Sequence, residues 1–295
     1  MNRLFNSKRV TAALVLPGLC VMLFAIAIPL FISVGLSFVS WSGFGKMKFL
    51  GIDNYVRLMQ DKVFWRSLLN VLLLILITVF IQNVFAFIIS SMLTKLREGP
   101  SRILRTIFFI PATLSLVVVT KLWVNIFHPT YGMFNKILTI FGLEDLTRAW
   151  LGDPKVAIWA VIWIMIWQGF GWALLFFYGG LMTVPKELEE AATVDGANKA
   201  QLYWNVILPY MMPIIQSIIV IDVVSSLKQM EMIYLSTEGG PGSTTQFIAL
   251  YLYQRAFKYG EYGYGNAISV LFVLLAVILT LVIQRAFRKY VDQIQ

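Results

Sequence analysis

The chain has 295 residues, of which 59% are hydrophobic and only 13% charged, and its mean hydropathy is +0.76. That balance lies far from a soluble globular domain and points to an integral membrane protein. The formal charge of +9 reads as membrane topology and contact with anionic lipid headgroups, and it gives no reason to invoke nucleic acid as a partner.

A hydrocarbon layer about 30 Å thick needs roughly 20 apolar residues per helix. Six runs meet that need, at about 12–38, 67–93, 106–127, 156–182, 210–231 and 264–284. The expected fold is therefore all-α with six transmembrane helices: a membrane domain over 12–284 between a cytoplasmic N-terminus, 1–11, and a cytoplasmic C-terminus, 285–295. The first run follows Lys8 and Arg9 as a signal peptide would, but it is longer than an h-region and has no clear cleavage pattern, so it reads as a retained helix. Cys20 within it has no second cysteine to pair with and reads as a small packing residue.

Orientation follows the basic residues. Arg3, Lys8 and Arg9 precede the first helix, Lys95, Arg97, Arg102 and Arg105 crowd the second connection, and Arg285, Arg288 and Lys289 follow the last helix. These ends are expected in the cytoplasm, although Lys46, Lys48, Arg57, Lys62 and Arg66 weaken the bias from the other side. In the second helix Gln82 and Asn83 read as packing contacts. Near the end of the third, the only histidine, His128, reads as a solvated loop residue. No phosphate cradle of the G-x-x-x-x-G-K-[ST] type and no H-E-x-x-H occurs, so ATP hydrolysis and a multi-histidine metal site are both excluded for this chain.

The fourth and fifth helices carry polar groups that lipid would penalise. Asp222 is expected near the bilayer midplane, with Ser225, Ser226 and Gln229 at i+3, i+4 and i+7 on the same helical face. Gln168, Gly169 and Trp172 form a matching stripe on the fourth helix, where Gly171 would admit a ligand or another backbone. Aromatic faces beside carboxylate and amide groups suit a sugar. The competing reading is hydrogen bonding between helices.

Between these two helices, residues 183–209 form an acidic connection in which Glu187, Glu189, Glu190 and Asp195 face only Lys186 and Lys199. Pro185 suits a helix's first turn, carboxylates there complement the helix dipole, and Asp195-Gly196 reads as the stop. A second helical stretch over about 198–207 is expected to end before Pro209. Farther on, Glu238-Gly239-Gly240-Pro241-Gly242 is a turn-rich outer loop.

The string Glu190-Ala191-Ala192, Asp195-Gly196-Ala197 and Leu208-Pro209 resembles the cytoplasmic loop of permease subunits from binding-protein-dependent ABC importers, with Val206 a mild departure. Pro17, Pro29, Ser37-Phe38, Pro111, Trp123, Gly132, Asn135, the Thr237 to Thr244 run, Tyr251, Tyr253, Ala256-Phe257 and Tyr264-Gly265 extend the resemblance to the carbohydrate branch, and to the first permease of its pair. The resemblance implies that the 183–209 loop seats in an ATPase, that Gly239, Gly240 and Pro241 contact an extracytoplasmic solute-binding protein, and that the helices flanking the acidic loop form the substrate site. It implies further partners: a second permease subunit and two cytoplasmic ATPase subunits. ATP and magnesium would sit on those ATPases, leaving this chain with no cofactor and no catalysis of its own. An ion-coupled secondary transporter using Asp222 as its coupling carboxylate is the alternative, but the paired inverted repeats and broken helices of that class are not visible.

Overall fold

A computed structural model describes residues 8–291; Arg3 and the tail 292–295 lie outside the described residues. The chain divides into two compact units, one of residues 1–61 with 252–273 and the other of residues 62–251 with 274–295.

In the first unit, α1 (Thr11–Leu36) is a long apolar helix. A two-stranded antiparallel ribbon, Val39–Ser40 with Lys48–Phe49, leads into α2 (Asp53–Gln60). Buried Asn54 holds this corner, its Nδ2 donating to Ser37 O at 2.8 Å and Val39 O at 3.0 Å. Glu261 accepts from Arg57 at 2.9 Å and Arg255 at 3.2 Å, while Tyr264 donates its hydroxyl proton to Asp61 at 2.6 Å. Arg57 also lies 4.1 Å over the Tyr264 ring, a cation–π contact. These bonds explain Tyr264 and Ser37 as scaffold residues.

The second unit begins with α3 (Lys62–Leu93) and continues through α4 (Glu98–Thr113), α5 (Leu116–Ile126) and the short α6 (Met133–Ile140). Then follow α7 (Ala157–Leu181), α8 (Lys186–Val194), α9 (Lys199–Lys228) and α10 (Glu231–Ser236). The last helix, α11 (Tyr262–Val291), starts in the first unit and ends in the second. α7 is apolar all round and lies at the centre, with α3, α4 and α9 packed against it. Gly171 makes the closest of these approaches possible, since a Cβ there would stand 2.5 Å from Phe108 O of α4. Ser90 of α3 donates to Leu174 O at 2.8 Å across the same core.

Among the described residues, five helices are long and apolar enough to cross a membrane, and a sixth span exists only if α4 and α5 are taken together. The expected third helix, 106–127, is therefore corrected: the chain bends by 94° between α4 and α5. Leu114 and Ser115 are extended there, with ψ of 145° and 136°. A break exposes carbonyls that lipid cannot satisfy, so such a bend is tolerated only where protein or water serves them. Gln168 of α7 does so for Leu114, donating from Nε2 to its carbonyl oxygen at 3.5 Å.

The expected stop before Pro209 is also corrected, because α9 runs unbroken from Lys199 to Lys228. A proline ring normally clashes with the carbonyl four residues back. Here a π-turn, Tyr203–Ile207, precedes Pro209, and Leu208 N–H reaches Tyr203 O five residues back. The wider turn makes room for the ring. Pro185 stands at the N-cap of α8, one position ahead of the first turn expected for it.

Candidate functional site

The connection between α7 and α9 is built to hold one shape. Glu187 and Glu189 sit in the first turn of α8, where the helix dipole favours them. The helix ends in a double bond pattern: Gly196 N–H donates to Thr193 O at 3.1 Å and Ala197 N–H to Ala192 O at 2.9 Å. Gly196 takes φ +81°, so the expected stop at Asp195-Gly196 is the turn that forms. Asn198 then caps α9, its Oδ1 accepting from Gln201 N–H at 2.9 Å while Gln201 Oε1 accepts from Asn198 N–H at 2.8 Å. This reciprocal cap is an N-x-x-Q variant of the capping box and was legible in the sequence by that spacing. Glu190, Ala191, Asp195 and Gly196 are exposed, and beside them stand Val194 at 87% and Trp204 at 70% exposure. Val194 and Trp204 are thus large apolar side chains held out beside carboxylates.

A cavity of about 360 Å³ lies between α3, α7 and α9. It gathers Gly169, Trp172, Asp222, Ser225, Ser226 and Gln229, six of the seven residues expected to line a pathway. The seventh, Gln168, is not among them; its amide serves the break at Leu114 instead. Gln229 lies just beyond the helix, with an extended backbone at ψ 116°, and so reaches the cavity from the C-cap of α9 rather than from a helical face. Asp222 stands about 9 Å before the end of α9.

Asp222 is held by Asn83, whose Nδ2 donates to Asp222 Oδ2 at 2.7 Å. Asn83 is thus more than the packing contact expected of it. Gln82, also expected only to pack, lines the cavity with Leu74 and Thr78. Four α-helical residues overshoot one turn by about 40°, so positions 74, 78 and 82 would drift round a regular helix. A π-turn at Thr78–Gln82, closed by Asn83 N–H on Thr78 O, takes that drift back and keeps all three side chains on one face. Periodicity at α-helical spacing hides such an inserted turn, which is why the sequence did not reveal these residues.

Trp172 packs edge-on against Phe109, ring centroids 5.1 Å apart, and offers its other surface to the cavity. Trp172, Phe176, Ile221 and Ser225 are all exposed although they line it. The chain therefore supplies one wall and leaves the opposite side open.

The glycine-rich loop is a packed structure. Thr245 Oγ1 donates to Gly240 O at 2.7 Å, Asn70 Nδ2 donates to Thr244 O at 2.9 Å and Gln246 O at 2.8 Å, and Gly239 at φ +90° lies so close to Gln246 that no Cβ would fit. Gly239 is buried, Gly240 and Pro241 are half-buried, and Glu238 and Gly242 are the exposed edges. His128 stacks on Tyr131 at 3.5 Å between centroids, in a turn that follows α5. No cluster of three metal-ligating side chains occurs among the described residues.

Residues 83–293 match the family described as the binding-protein-dependent transport system inner membrane component. A probable ABC transporter permease protein, YurN of Bacillus subtilis, is 33% identical over 285 residues, covering 96% of this chain and 98% of that protein. The multiple sugar-binding transport system permease protein MsmF of Streptococcus mutans is 33% identical, covering 87% and 88%. The trehalose/maltose transport system permease protein MalF of Thermococcus litoralis is 29% identical, covering 94% and 93%. Among solved structures, a bacterial ABC transporter involved in importing the acidic polysaccharide alginate superposes with a TM-score of 0.81 at 24% identity, covering 96% of both chains.

Proposed function

This chain belongs to the binding-protein-dependent transport system inner membrane component family, and from that premise we propose that it is one of two permease subunits of an ABC importer for a sugar or oligosaccharide. The observation that carries this reading is the half-open cavity of Trp172, Asp222, Ser225, Ser226 and Gln229, joined by one continuous helix to the exposed acidic turn. Relatives named for multiple sugars and for trehalose and maltose support the carbohydrate assignment.

The chain is a multi-pass membrane protein of the cytoplasmic membrane, with both termini and the 183–209 turn on the cytoplasmic side. It moves its substrate and breaks no bond in it. Two ATPase subunits hold ATP and magnesium, and one of them receives α8 through Glu190, Ala191, Ala192, Asp195, Gly196 and Ala197. Leu208 and Pro209 lie on α9, which carries the movement. From Lys199 to Asp222 this helix spans roughly 35 Å without a break, so a displacement at the docked turn reaches the cavity as a rigid tilt. ATP-driven closure opens the cavity toward a loaded solute-binding protein, whose contact is made at the Glu238 and Gly242 edges of the loop carrying Gly239, Gly240 and Pro241. Hydrolysis returns it inward. The second permease supplies the missing wall.

The test is assembly. Co-expressed with a second permease and an ATPase, the tagged chain is expected to purify as a complex whose ATP hydrolysis rises when sugar-loaded binding protein is added. A complex that assembles but never responds to loaded binding protein would overturn the reading.

A further inference from the structure

We propose that the cavity between α3, α7 and α9 admits uncharged saccharides and rejects anionic ones, with Gln82 as its specificity-determining residue. This rests on the cavity being the sugar site, as proposed above. Asp222 is the one charged residue of the lining; no lysine, arginine or histidine stands there. Among the described residues its one hydrogen-bond donor is the neutral amide of Asn83, which orients the carboxylate and leaves its charge in place. A uronate, sulfonate or phosphate on the substrate would meet that charge. Like charges about 6 Å apart in partly buried surroundings weaken binding on the order of a hundredfold. Sugar hydroxyls donate to the same carboxylate and are favoured by it.

The neutral groups are arranged to read hydroxyls. Gln82 is only 5% exposed, and its amide has no hydrogen-bond partner among the described residues. What little of Gln82 is exposed opens on the cavity, where a ligand's hydroxyls can pair with its amide in place of water. The carboxamide presents a donor and an acceptor side by side, as two adjacent sugar hydroxyls do. The π-turn at Thr78–Gln82 is what aims it, toward Gly169 of α7, where a Cβ would stand in ordinary contact with Gln82 Nε2 at 3.6 Å. Trp172 provides the stacking face across the cavity.

The assembled importer in nanodiscs, without binding protein, would be titrated with radiolabelled methyl hexosides and the matching methyl hexuronides in gluco, galacto and manno configurations. At least one hexoside is expected to bind, and its uronide at least thirtyfold more weakly. Asp222→Asn should narrow that gap at least tenfold while hexoside binding persists. Gln82→Met should weaken the hexoside at least tenfold and leave the gap of the remaining binding unchanged. Uronides bound as tightly as hexosides by the unmodified complex would overturn the inference and leave the importer reading standing. No binding of any hexoside, in a complex that still takes up sugar from its binding protein with ATP, would also overturn it. Loss of that uptake as well would bring down the importer reading itself.

Discussion

Asp222 and Gln168 are both polar residues on membrane helices, yet the structure gives them different work. Burying a carboxylate within a bilayer costs at least about 2.5 kcal/mol on insertion scales, so Asp222→Leu should ease insertion. The same change removes the charge that faces the cavity and leaves Asn83 without its acceptor. We expect the variant to reach the membrane at the unmodified level while sugar uptake falls at least tenfold; unchanged uptake and affinity would make Asp222 a structural residue only. Gln168→Leu should behave the opposite way. It strips Leu114 O of a long, exposed hydrogen bond at the bend between α4 and α5, a loss of at most about 1 kcal/mol. A lower melting temperature of the purified complex with an unchanged KM for uptake is the expected pair of results. A raised KM at unchanged stability would return Gln168 to the pathway.

At the scale of elements, the acidic turn was legible because its parts are local. Dipole-favoured carboxylates and a glycine stop at Gly196 depend on neighbours in sequence, and each stands where the sequence places it. The bend at Leu114 and the π-turns at Thr78–Gln82 and Tyr203–Ile207 were not legible, because apolar periodicity averages over a whole helix and one inserted residue barely alters it. Those irregular turns are what aim Gln82 and carry α9 through Pro209. Gly196 offers the sharpest test of the turn. No atom lies within 4 Å of a Cβ built there, so a substituted side chain has space and the cost is purely conformational. Gly196→Val should strain the positive-φ position by about 1–2 kcal/mol. The turn would then re-form differently, and binding-protein-stimulated ATP hydrolysis should drop severalfold with the helices still inserted. Full stimulation by this variant would remove the turn from the coupling path. Asn198→Ala, which deletes the cap of α9, should cost about 1 kcal/mol locally and appear as faster amide exchange at Lys199–Leu202.

For the whole molecule the question is the source of energy. The chain carries no phosphate-binding motif, its polar cavity lacks one wall, and its acidic turn leaves Val194 and Trp204 exposed. A secondary transporter would need a complete pathway and a coupling site in its own fold, and Asp222 is the charged residue of the cavity that could serve as one. The two designs respond differently to the same treatment. Vesicles reconstituted with this chain, the second permease, the ATPases and the binding protein should take up sugar when ATP is supplied on the ATPase side. An ionophore that collapses proton and sodium gradients should leave that uptake within about twofold, since in the importer reading ATP binding and hydrolysis on the partner subunits drive the tilt of α9. Removing ATP should abolish it. Uptake driven by an imposed proton or sodium gradient without ATP, and lost in Asp222→Asn, would instead assign the coupling to this carboxylate and reverse the order of the two readings.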